Sequence, residues 1–388
     1  MGGRNEDTLV IGAGPAGLAV SATLHHAGVP NLVVEQADTL GSSWRSHYDR
    51  LHLHTVKTYS GLPFVPWDRE APLYPSRDQV VRYLERYARQ HRIEPRFGVS
   101  VGRVMREGTR FSVHTTDGRL TPSVVVVCTG YNGVENRPDI HGIDTFTGSV
   151  EHSRTYRNAE RYRGLKTLVV GCGNSGAEIA LDLAEHSVDV SIVVRGPVHV
   201  IPRDLFGRPT QNTAVMLSRL PIGLRDALAT PLLRLAVGDL SRWGIVRPAV
   251  GLNRHIEQAG RVPILDIGTI AAVKTGRIRV VPAVQEVVAG DRIRFANGCV
   301  ERFDAVVLAT GYKPGLDRFI DRFELIADGR GRPHRFGAET AIAGLFFVGF
   351  RNPPTGALRE IGIEALRVAA TLQRMAAITP PGAGGGSS

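Results

Sequence analysis

Short apolar strands and helix-compatible segments alternate along this chain, and one βαβ order occurs twice. In the first copy an apolar run over residues 8–12 leads into a glycine-rich turn, a helix begins near Pro15 and ends before Gly28, and a second strand spans 31–35. The second copy reads LVVGCGNSGAEIA and continues to SIVVR. Apolar β-branched runs joined by a helix are typical of buried parallel strands. The pattern predicts an α/β protein with two Rossmann-type dinucleotide-binding domains.

Further patterns add elements around the two copies. Alternating segments near 99–105, 110–115 and 119–127 predict a β-meander, and SRDQVVRYLERYARQ predicts a helix with a serine cap. A proline-punctuated apolar region at about 203–262 has helical spacing without a nucleotide motif, which predicts a helical insertion. The stretch over 41–75 keeps no period, and a long irregular segment in a compact domain is usually functional.

The order of these elements predicts that one domain is inserted in the other. Residues 1–162 form the first part of one dinucleotide-binding domain, and residues 163–300 form the second domain with its helical insertion. Residues 301–380 return to the first domain, where GLFFVGF predicts a strand that leads into a helix preceded by glycine and proline. Residues 381–388 predict a flexible tail.

Composition fits two cores and small-molecule ligands. The 388 residues are 43% hydrophobic, which is enough for two domains with separate cores. The formal net charge is +10 and the isoelectric point is near 9.9. The arginines are scattered, so we expect the positive field to favour two polyanionic cofactors rather than nucleic acid. No metal-ligand spacing stands out, and a homo-oligomer stays possible.

Targeting signals and cysteines bear on the compartment and on the reaction class. The first apolar run begins at residue 8, which leaves no room for a signal peptide. No apolar stretch reaches the roughly 18 residues that a membrane span needs, so we expect a cytoplasmic protein without a span. Cys128, Cys172 and Cys299 form no C-x-x-C pair. This argues against the disulfide reductases that share paired nucleotide-binding domains.

Each copy of the fold has a G-x-G-x-x-G turn that is followed, about 20 residues later, by one charged residue. The glycines of the two turns are Gly12, Gly14, Gly17, Gly171, Gly173 and Gly176. Glu35 closes the first copy and Arg195 closes the second. A carboxylate at this position binds ribose hydroxyls, whereas arginine binds a 2′-phosphate. The first turn therefore predicts FAD and the second predicts NADPH.

A further motif lies between the two turns. Phe146, Gly148, His152 and Tyr156 have the spacing F-x-G-x-x-x-H-x-x-x-Y, and an LATGY segment ends at Tyr312. Here the chain resembles the class B flavin monooxygenases, in which these motifs stand beside two glycine turns. Within that family it is most similar to the YUCCA-type branch, through GSSWR, YDRLHLH, VVGCGNSGAEIALDL, VIPRDLFGR and VPILDIGT.

The resemblance implies that one chain binds both FAD and NADPH and that the substrate enters between the domains. It also implies that Trp44 and Arg45 flank the FAD, while the helix after GLFFVGF gives FAD a second set of backbone donors. The candidate cofactor-binding residues are Gly12, Gly14, Pro15, Ala16, Gly17, Glu35, Gln36, Trp44, Arg45, His54, Thr129, Gly130, Gly171, Gly173, Asn174, Ser175, Gly176, Arg195, Ala309, Thr310, Gly311, Tyr312 and Gly349.

A reaction follows from the same resemblance. YUCCA-type enzymes convert indole-3-pyruvate to indole-3-acetate, a step of auxin biosynthesis, through a C4a-peroxyflavin that needs a dry site. We expect oxidative decarboxylation of such an aryl 2-oxo acid with molecular oxygen. The alternatives are N-hydroxylation or S-oxidation of a small amine or sulfide, and an NADPH-binding redox sensor. Baeyer–Villiger oxidation ranks lower, because Arg157 follows Tyr156 where those enzymes show Trp-Pro.

One departure from the animal-type members falls in YDRLHLHTVK. Those members carry an asparagine thought to steady the oxygenated flavin, and alignment places His54 there. We therefore predict that His54 is catalytic, because imidazole titrates near neutrality and exchanges protons. In the alternative, His52 and His54 merely line a polar cleft wall. His152 is predicted to be a buried structural histidine, and Lys57 either a solvated charge or a flavin contact.

Overall fold

The computed structural model describes residues 7–259, 263–351 and 353–378. The predicted tail over 381–388 lies outside these ranges. The α-helices are Pro15–His26, Ser42–Arg45, Arg77–Gln90, Asn174–Glu185, Thr210–Leu217, Ile222–Val237, Leu252–Ala259, Thr269–Lys274 and Ala357–Ile378. Two parallel sheets form the centre of the fold, so the predicted α/β class is confirmed.

The first sheet has four parallel strands in the order Leu32–Val34, Thr8–Ile11, Val124–Val127 and Leu345–Phe347. Almost every side chain in these strands is buried, because both faces of the sheet are covered. One face packs against helices that include the one following the first glycine turn. The other face packs against the meander and residues 316–326.

The second sheet has five parallel strands in the order Ile278–Val281, Asp189–Val193, Lys166–Val170, Ala305–Leu308 and Ser149–His152. Its central order repeats that of the first sheet. In each sheet the strand before the glycine turn lies between the strand that leads to the charged residue and the strand that ends in T-G-Y. The prediction of two Rossmann-type domains is confirmed.

The sheets do not follow the predicted domain boundaries. Ser149–His152 and Ala305–Leu308 both pair within the second sheet, although they lie outside 163–300, the range predicted for that domain. The return to the first sheet is made later, by the strand Leu345–Phe347. Short valine-rich runs fit either sheet, so tertiary pairing rather than local pattern decides where each one lies.

The smaller predicted elements surround the two sheets. Three antiparallel strands over 101–120 form a meander, but most of the third predicted segment, 119–127, instead supplies the strand Val124–Val127 of the first sheet. The region 203–262 contains three of the helices given above. The loop over 41–75 has only short helical turns. Among the described helices, none combines the length and apolarity needed to cross a bilayer. The remaining strands are Val101–Glu107, Arg110–Thr115, Gly118–Leu120, Val134–Glu135, Val200–Pro202, Asp204–Leu205, Arg208–Pro209, Ile264–Asp266, Val284–Ala289, Arg292–Phe295, Val300–Arg302 and Tyr312–Lys313.

Candidate active site

The first glycine of each turn is fixed by the neighbouring strand. Gly12 has φ +106° and Gly171 has φ +112°, a region that favours glycine. A Cβ on Gly12 would lie 2.8 Å from the carbonyl oxygen of Cys128, and a Cβ on Gly171 would lie 2.5 Å from that of Ala309. The two turns therefore have the same bend for the same steric reason.

The other glycines make each turn a cradle for a dinucleotide. A Cβ on Gly17 would lie 1.8 Å from the carbonyl oxygen of Gly12, and a Cβ on Gly176 would lie 2.0 Å from that of Gly171. Only glycine at this third position therefore lets the helix pack so closely. Around Gly14 and Gly173 a Cβ would meet no atom within 4 Å, and each residue caps a helix N-terminus. Open space before helix N–H groups is what a pyrophosphate needs. Both turns fit the cofactors predicted from the sequence.

Glu35 and Arg195 differ in how they are held. Glu35 is buried, and its carboxylate accepts hydrogen bonds from the backbone N–H groups of Ala13 at 2.7 Å and Ala37 at 3.0 Å. Arg195 is exposed, and within the described part of the chain no hydrogen bond or ion pair holds its side chain. A carboxylate fixed beside the first turn suits ribose hydroxyls, and a free guanidinium suits a phosphate.

Gly349, one of the predicted cofactor-binding residues, lies against the first turn. A Cβ on Gly349 would be 2.8 Å from the Cβ of Ala16, which follows Pro15 at the start of the helix. The N–H of Gly349 donates to Oε2 of Glu364 at 2.9 Å, and burial raises the pKa of Glu364 to about 7. Sequence reasoning missed Glu364, although an acid among apolar helix positions is a signal for a buried carboxyl.

The other residues predicted to bind FAD have different surroundings. Gln36 is exposed after its strand. Trp44 packs against the core that includes the first nucleotide helix. Arg45 instead forms an ion pair with Glu85 and donates from Nε to the Leu40 carbonyl at 3.0 Å. Its guanidinium is therefore held by protein groups.

Equivalent T-G-Y segments end one strand of each sheet. Thr129 is exposed, and Gly130 has a left-handed φ of +70°. In the second sheet, the Thr310 hydroxyl donates to the Asn136 carbonyl at 2.5 Å, and the Gly311 carbonyl accepts the Asn136 N–H at 2.9 Å. These bonds tie the second segment to the connection between the two sheets.

His152 of the F-x-G-x-x-x-H-x-x-x-Y motif joins two neighbouring strand ends. Its Nδ1 accepts the Arg154 N–H at 3.2 Å, so the neutral ring carries its proton on Nε2 and donates to the Gly311 carbonyl at 3.1 Å. Its ring also packs edge-on against Tyr312, with centroids 5.0 Å apart. Burial lowers the pKa of His152. The contacts are those of a structural histidine.

The remaining motif residues pack the edge of the second sheet. Phe146 is buried in its core, and a Cβ on Gly148 would lie 2.3 Å from the Asp304 carbonyl oxygen. The hydroxyl of Tyr156 donates to Oδ2 of Asp182 at 2.6 Å, and burial raises the pKa of Tyr156. The motif therefore holds the edge strand of the second sheet against the rest of that domain.

His54 reaches the second nucleotide domain. Its Nε2 contacts Oε1 of Glu178, which lies on the helix Asn174–Glu185 that begins at the second glycine turn. Glu178 is buried at 1% exposure, and its Oε2 has no hydrogen-bond partner among the described residues. Sequence reasoning missed Glu178. The available signal was a carboxylate at an interior position of a largely apolar helix.

Further polar side chains lie near the same helix N-terminus. Asn174 Oδ1 accepts the Leu265 N–H at 2.7 Å, which ties the turn to the strand after the insertion. Burial raises the pKa of Tyr48 most, the charge of Glu178 and a side-chain hydrogen bond to Glu178 raise it further, and a hydrogen bond from Ser175 opposes the rise. Burial lowers the pKa of His47 to about 4. This junction therefore favours a neutral His47 and a protonated Tyr48.

Two further candidates from the 41–75 loop serve the loop itself. His52 is exposed, with Nδ1 2.7 Å from the Arg50 carbonyl oxygen. Lys57 Nζ donates to the carbonyls of Asp68 at 3.2 Å and Arg69 at 2.6 Å. Its ammonium group is thus used to fold the loop back on itself.

The cysteines offer no dithiol. Cys128 is buried, Cys172 is partly buried and Cys299 is exposed, and all three are free thiols. Burial raises the pKa of Cys172 to about 12, which makes it a poor nucleophile. No cluster of metal-ligating side chains occurs in the described ranges.

Comparison with known proteins identifies the family. A family model described as pyridine nucleotide-disulphide oxidoreductase matches residues 9–204. The chain is 41% identical over 317 residues to the indole-3-pyruvate monooxygenase YUCCA1 of Oryza sativa subsp. japonica, which covers 80% of this chain and 78% of that protein. It is 38% identical over 376 residues to the probable indole-3-pyruvate monooxygenase YUCCA9 of Arabidopsis thaliana, covering 93% and 87%.

A solved structure supports the architecture. The flavin-containing monooxygenase from Stenotrophomonas maltophilia superposes with a TM-score of 0.74 at 20% identity, covering 95% of this chain and 98% of that chain. At this identity the likeness shows the fold, whereas the relatives above show the family. The chain belongs to the YUCCA-type family of class B flavin monooxygenases and is an NADPH- and FAD-dependent enzyme.

Proposed function

We propose that this enzyme oxidatively decarboxylates an aryl 2-oxo acid such as indole-3-pyruvate. The observation that carries the proposal is the 38% identity to a probable indole-3-pyruvate monooxygenase over 93% of the chain. A match of that extent leaves only a small part of the chain outside it, so it is not confined to one of the two nucleotide-binding domains. The reaction would yield the carboxylic acid one carbon shorter, which is indole-3-acetate for this substrate.

The cofactor assignment rests on the two turns and their closing charges. The residues proposed to hold FAD are Gly12, Gly14, Pro15, Ala16, Gly17, Glu35, Gln36, Trp44, Thr129, Gly130 and Gly349. Arg45 would join them only if its pair with Glu85 opened. The residues proposed to hold NADPH are Gly171, Gly173, Asn174, Ser175, Gly176 and Arg195. The segment over 309–312 would support the second site from the neighbouring strand.

When bound, NADPH supplies a hydride and FAD activates molecular oxygen. The 2-oxo acid, NADPH, one proton and O₂ give the shorter carboxylate, CO₂, NADP⁺ and water. One oxygen atom of O₂ enters the new carboxylate and the other leaves as water. The chain's own tasks are to align the two nucleotides, exclude water and hold a proton near the oxygen chemistry.

We assign the proton-holding task to His54. Its side chain is 21% exposed, and it lies between the loop of the first domain and the helix of the second turn. Nε2 is engaged by Glu178, which leaves Nδ1 as the nitrogen that could face a ligand. An imidazole has one nitrogen that can donate a proton and one that can accept a proton, which suits this task.

The test is a product assay with the FAD-loaded enzyme. Indole-3-pyruvate, NADPH and O₂ should give indole-3-acetate and CO₂ in a ratio near one per NADPH. Parallel arms replace the 2-oxo acid with a small amine, a thioether or no acceptor. An oxidised amine or thioether without indole-3-acetate would instead establish the N- or S-oxidising alternative. Hydrogen peroxide alone in every arm would contradict the decarboxylase and favour a redox sensor.

A further inference from the structure

Glu178 stands out as a buried charge that the cofactor turns do not require. It is 1% exposed, one carboxylate oxygen contacts His54, and the other has no hydrogen-bond partner in the described ranges. A buried carboxylate with an unsatisfied oxygen costs folding free energy. An apolar residue would fill the same helix position without that cost, which indicates that the carboxylate serves the site.

We propose that Glu178 is a positioning residue that fixes the ring orientation and tautomer of His54. The proposal rests on the role given above to His54, and it concerns a second residue that the glycine-turn motif does not predict. An ionised carboxylate can only accept hydrogen bonds, so the nitrogen that faces it must carry a proton. In a neutral ring this leaves the lone pair on Nδ1, which has no partner among the described residues.

The position of Glu178 also links His54 to the NADPH turn. Glu178 lies about one helical turn after Asn174, which begins the helix at that glycine turn. Farther along the same helix, Arg50 of the first-domain loop pairs with Glu185 at 2.7 Å and with Asp182 at 3.5 Å. One rigid helix therefore holds both ends of the loop segment 50–54. Movement of the second turn would carry the His54 ring with it.

The charge environment of the pair is defined by the two elements that meet there. The loop contributes Tyr48, which is buried and shares a side-chain hydrogen bond with Glu178. It also contributes His47, whose pKa is lowered to about 4 by burial, although the charge of Glu178 acts to raise it. Positive charges that act on His47 come from Arg157, Arg154 and Arg77. The helix contributes Asp182, which is occupied by Tyr156 and Arg50. Glu178 is thus the carboxylate that contacts the His54 ring directly.

Glu178→Gln is the primary variant because it keeps the size of the side chain and removes its charge. The amide can donate as well as accept, so it no longer dictates which His54 nitrogen is protonated. Glu185→Gln is the matched control, since it removes a solvent-facing carboxylate from the same helix while its amide oxygen and Asp182 can still accept from Arg50. Glu178→Asp tests whether a shortened carboxylate restores the wild-type behaviour. Thermal unfolding of each variant checks that it folds.

The first readout is the ¹⁵N NMR signal of the His54 imidazole in the FAD-loaded enzyme, assigned by its loss in His54→Asn. We expect a single Nε2–H tautomer in the wild type and in Glu185→Gln, and a mixture in Glu178→Gln. The second readout is hydrogen peroxide released per NADPH oxidised, measured from pH 5.5 to 9. Glu178→Gln should release about 10-fold more peroxide, the lower end of effects for a group that orients a histidine. The pH profile of this release should also change, because the variant removes the carboxylate beside the His54 ring.

Unchanged tautomer and unchanged pH profile in Glu178→Gln would overturn the positioning role. The two proposals fail in different ways. If His54→Asn releases no more peroxide than the wild type, the function assigned to His54 is wrong, and the NMR readout alone then decides whether Glu178 orients the ring.

Discussion

The two nucleotide turns share one backbone, and they differ in what their closing residue does for the fold. Glu35 is buried and accepts hydrogen bonds from two backbone N–H groups, one of them in the turn itself. Arg195 is exposed and, within the described ranges, makes no such contact. The carboxylate is therefore part of the structure of its turn, whereas the guanidinium is available for a ligand. Changes at the first turn should affect fold and ligand together, and changes at Arg195 should affect the ligand alone.

The largest expected effect comes from the third glycine of each turn. Gly17→Ala and Gly176→Ala would place a Cβ 1.8 Å and 2.0 Å from a backbone oxygen, so helix and strand must separate. We expect each variant to lose about 3 kcal/mol of stability or more. Thermal unfolding and soluble yield measure the loss. A wild-type melting temperature in either variant would contradict the steric argument.

Substitution of the second glycine in each turn should weaken the binding of one nucleotide only and leave the stability of the fold unchanged. A Cβ on Gly14 or Gly173 meets nothing within 4 Å, so Gly14→Ala and Gly173→Ala should melt like the wild type. The new methyl group would occupy the proposed pyrophosphate path and weaken binding about 10-fold, or 1.4 kcal/mol. Gly14→Ala should lose FAD in absorbance spectra, while Gly173→Ala keeps FAD and loses NADPH affinity in titrations. Loss of the same ligand from both variants would contradict the assignment of FAD to the first turn and NADPH to the second.

A pH-dependent effect should appear behind the first turn, at Glu364. Burial raises the pKa of this carboxyl from 4.5 to about 7, so the folded state binds more protons than the unfolded state between those pH values. The contribution of Glu364 to stability is therefore complete below pH 4.5 and is lost as the pH rises through 7. Glu364→Gln should be up to about 3 kcal/mol more stable than the wild type at pH 8 and little different near pH 4.5. Melting temperatures at the two pH values test this, and equal values at pH 8 would refute it.

Much of this fold could be predicted because its signals are local. The bend at Gly12 needs a left-handed residue, and the apolar runs, capped helices and insertion follow from short-range pattern. The sheet membership of Ser149–His152 and Ala305–Leu308 could not be predicted. Such valine-rich strands are alike in sequence, and the partner of each is chosen by long-range packing.

The candidate site was less predictable than the fold. The glycines that cradle the nucleotides carry their own steric signature, and the structure brings Glu35 and Gly349 to the first turn. The pairing of His54 with Glu178 joins residues 124 positions apart, and nothing in either segment specifies the other. Arg45 was predicted beside FAD from the family resemblance, but in the structure it forms an ion pair with Glu85.

The cofactor assignment of the second turn depends most directly on the charge of Arg195. The decisive measurement is kcat/KM for NADPH and for NADH with the FAD-loaded wild type and the Arg195→Glu variant. A carboxylate would lose the charge-assisted bonds to a 2′-phosphate and repel it, so kcat/KM for NADPH should fall about 100-fold. The value for NADH, which lacks that phosphate, should fall less than about 3-fold. Equal losses for the two nucleotides would contradict the account.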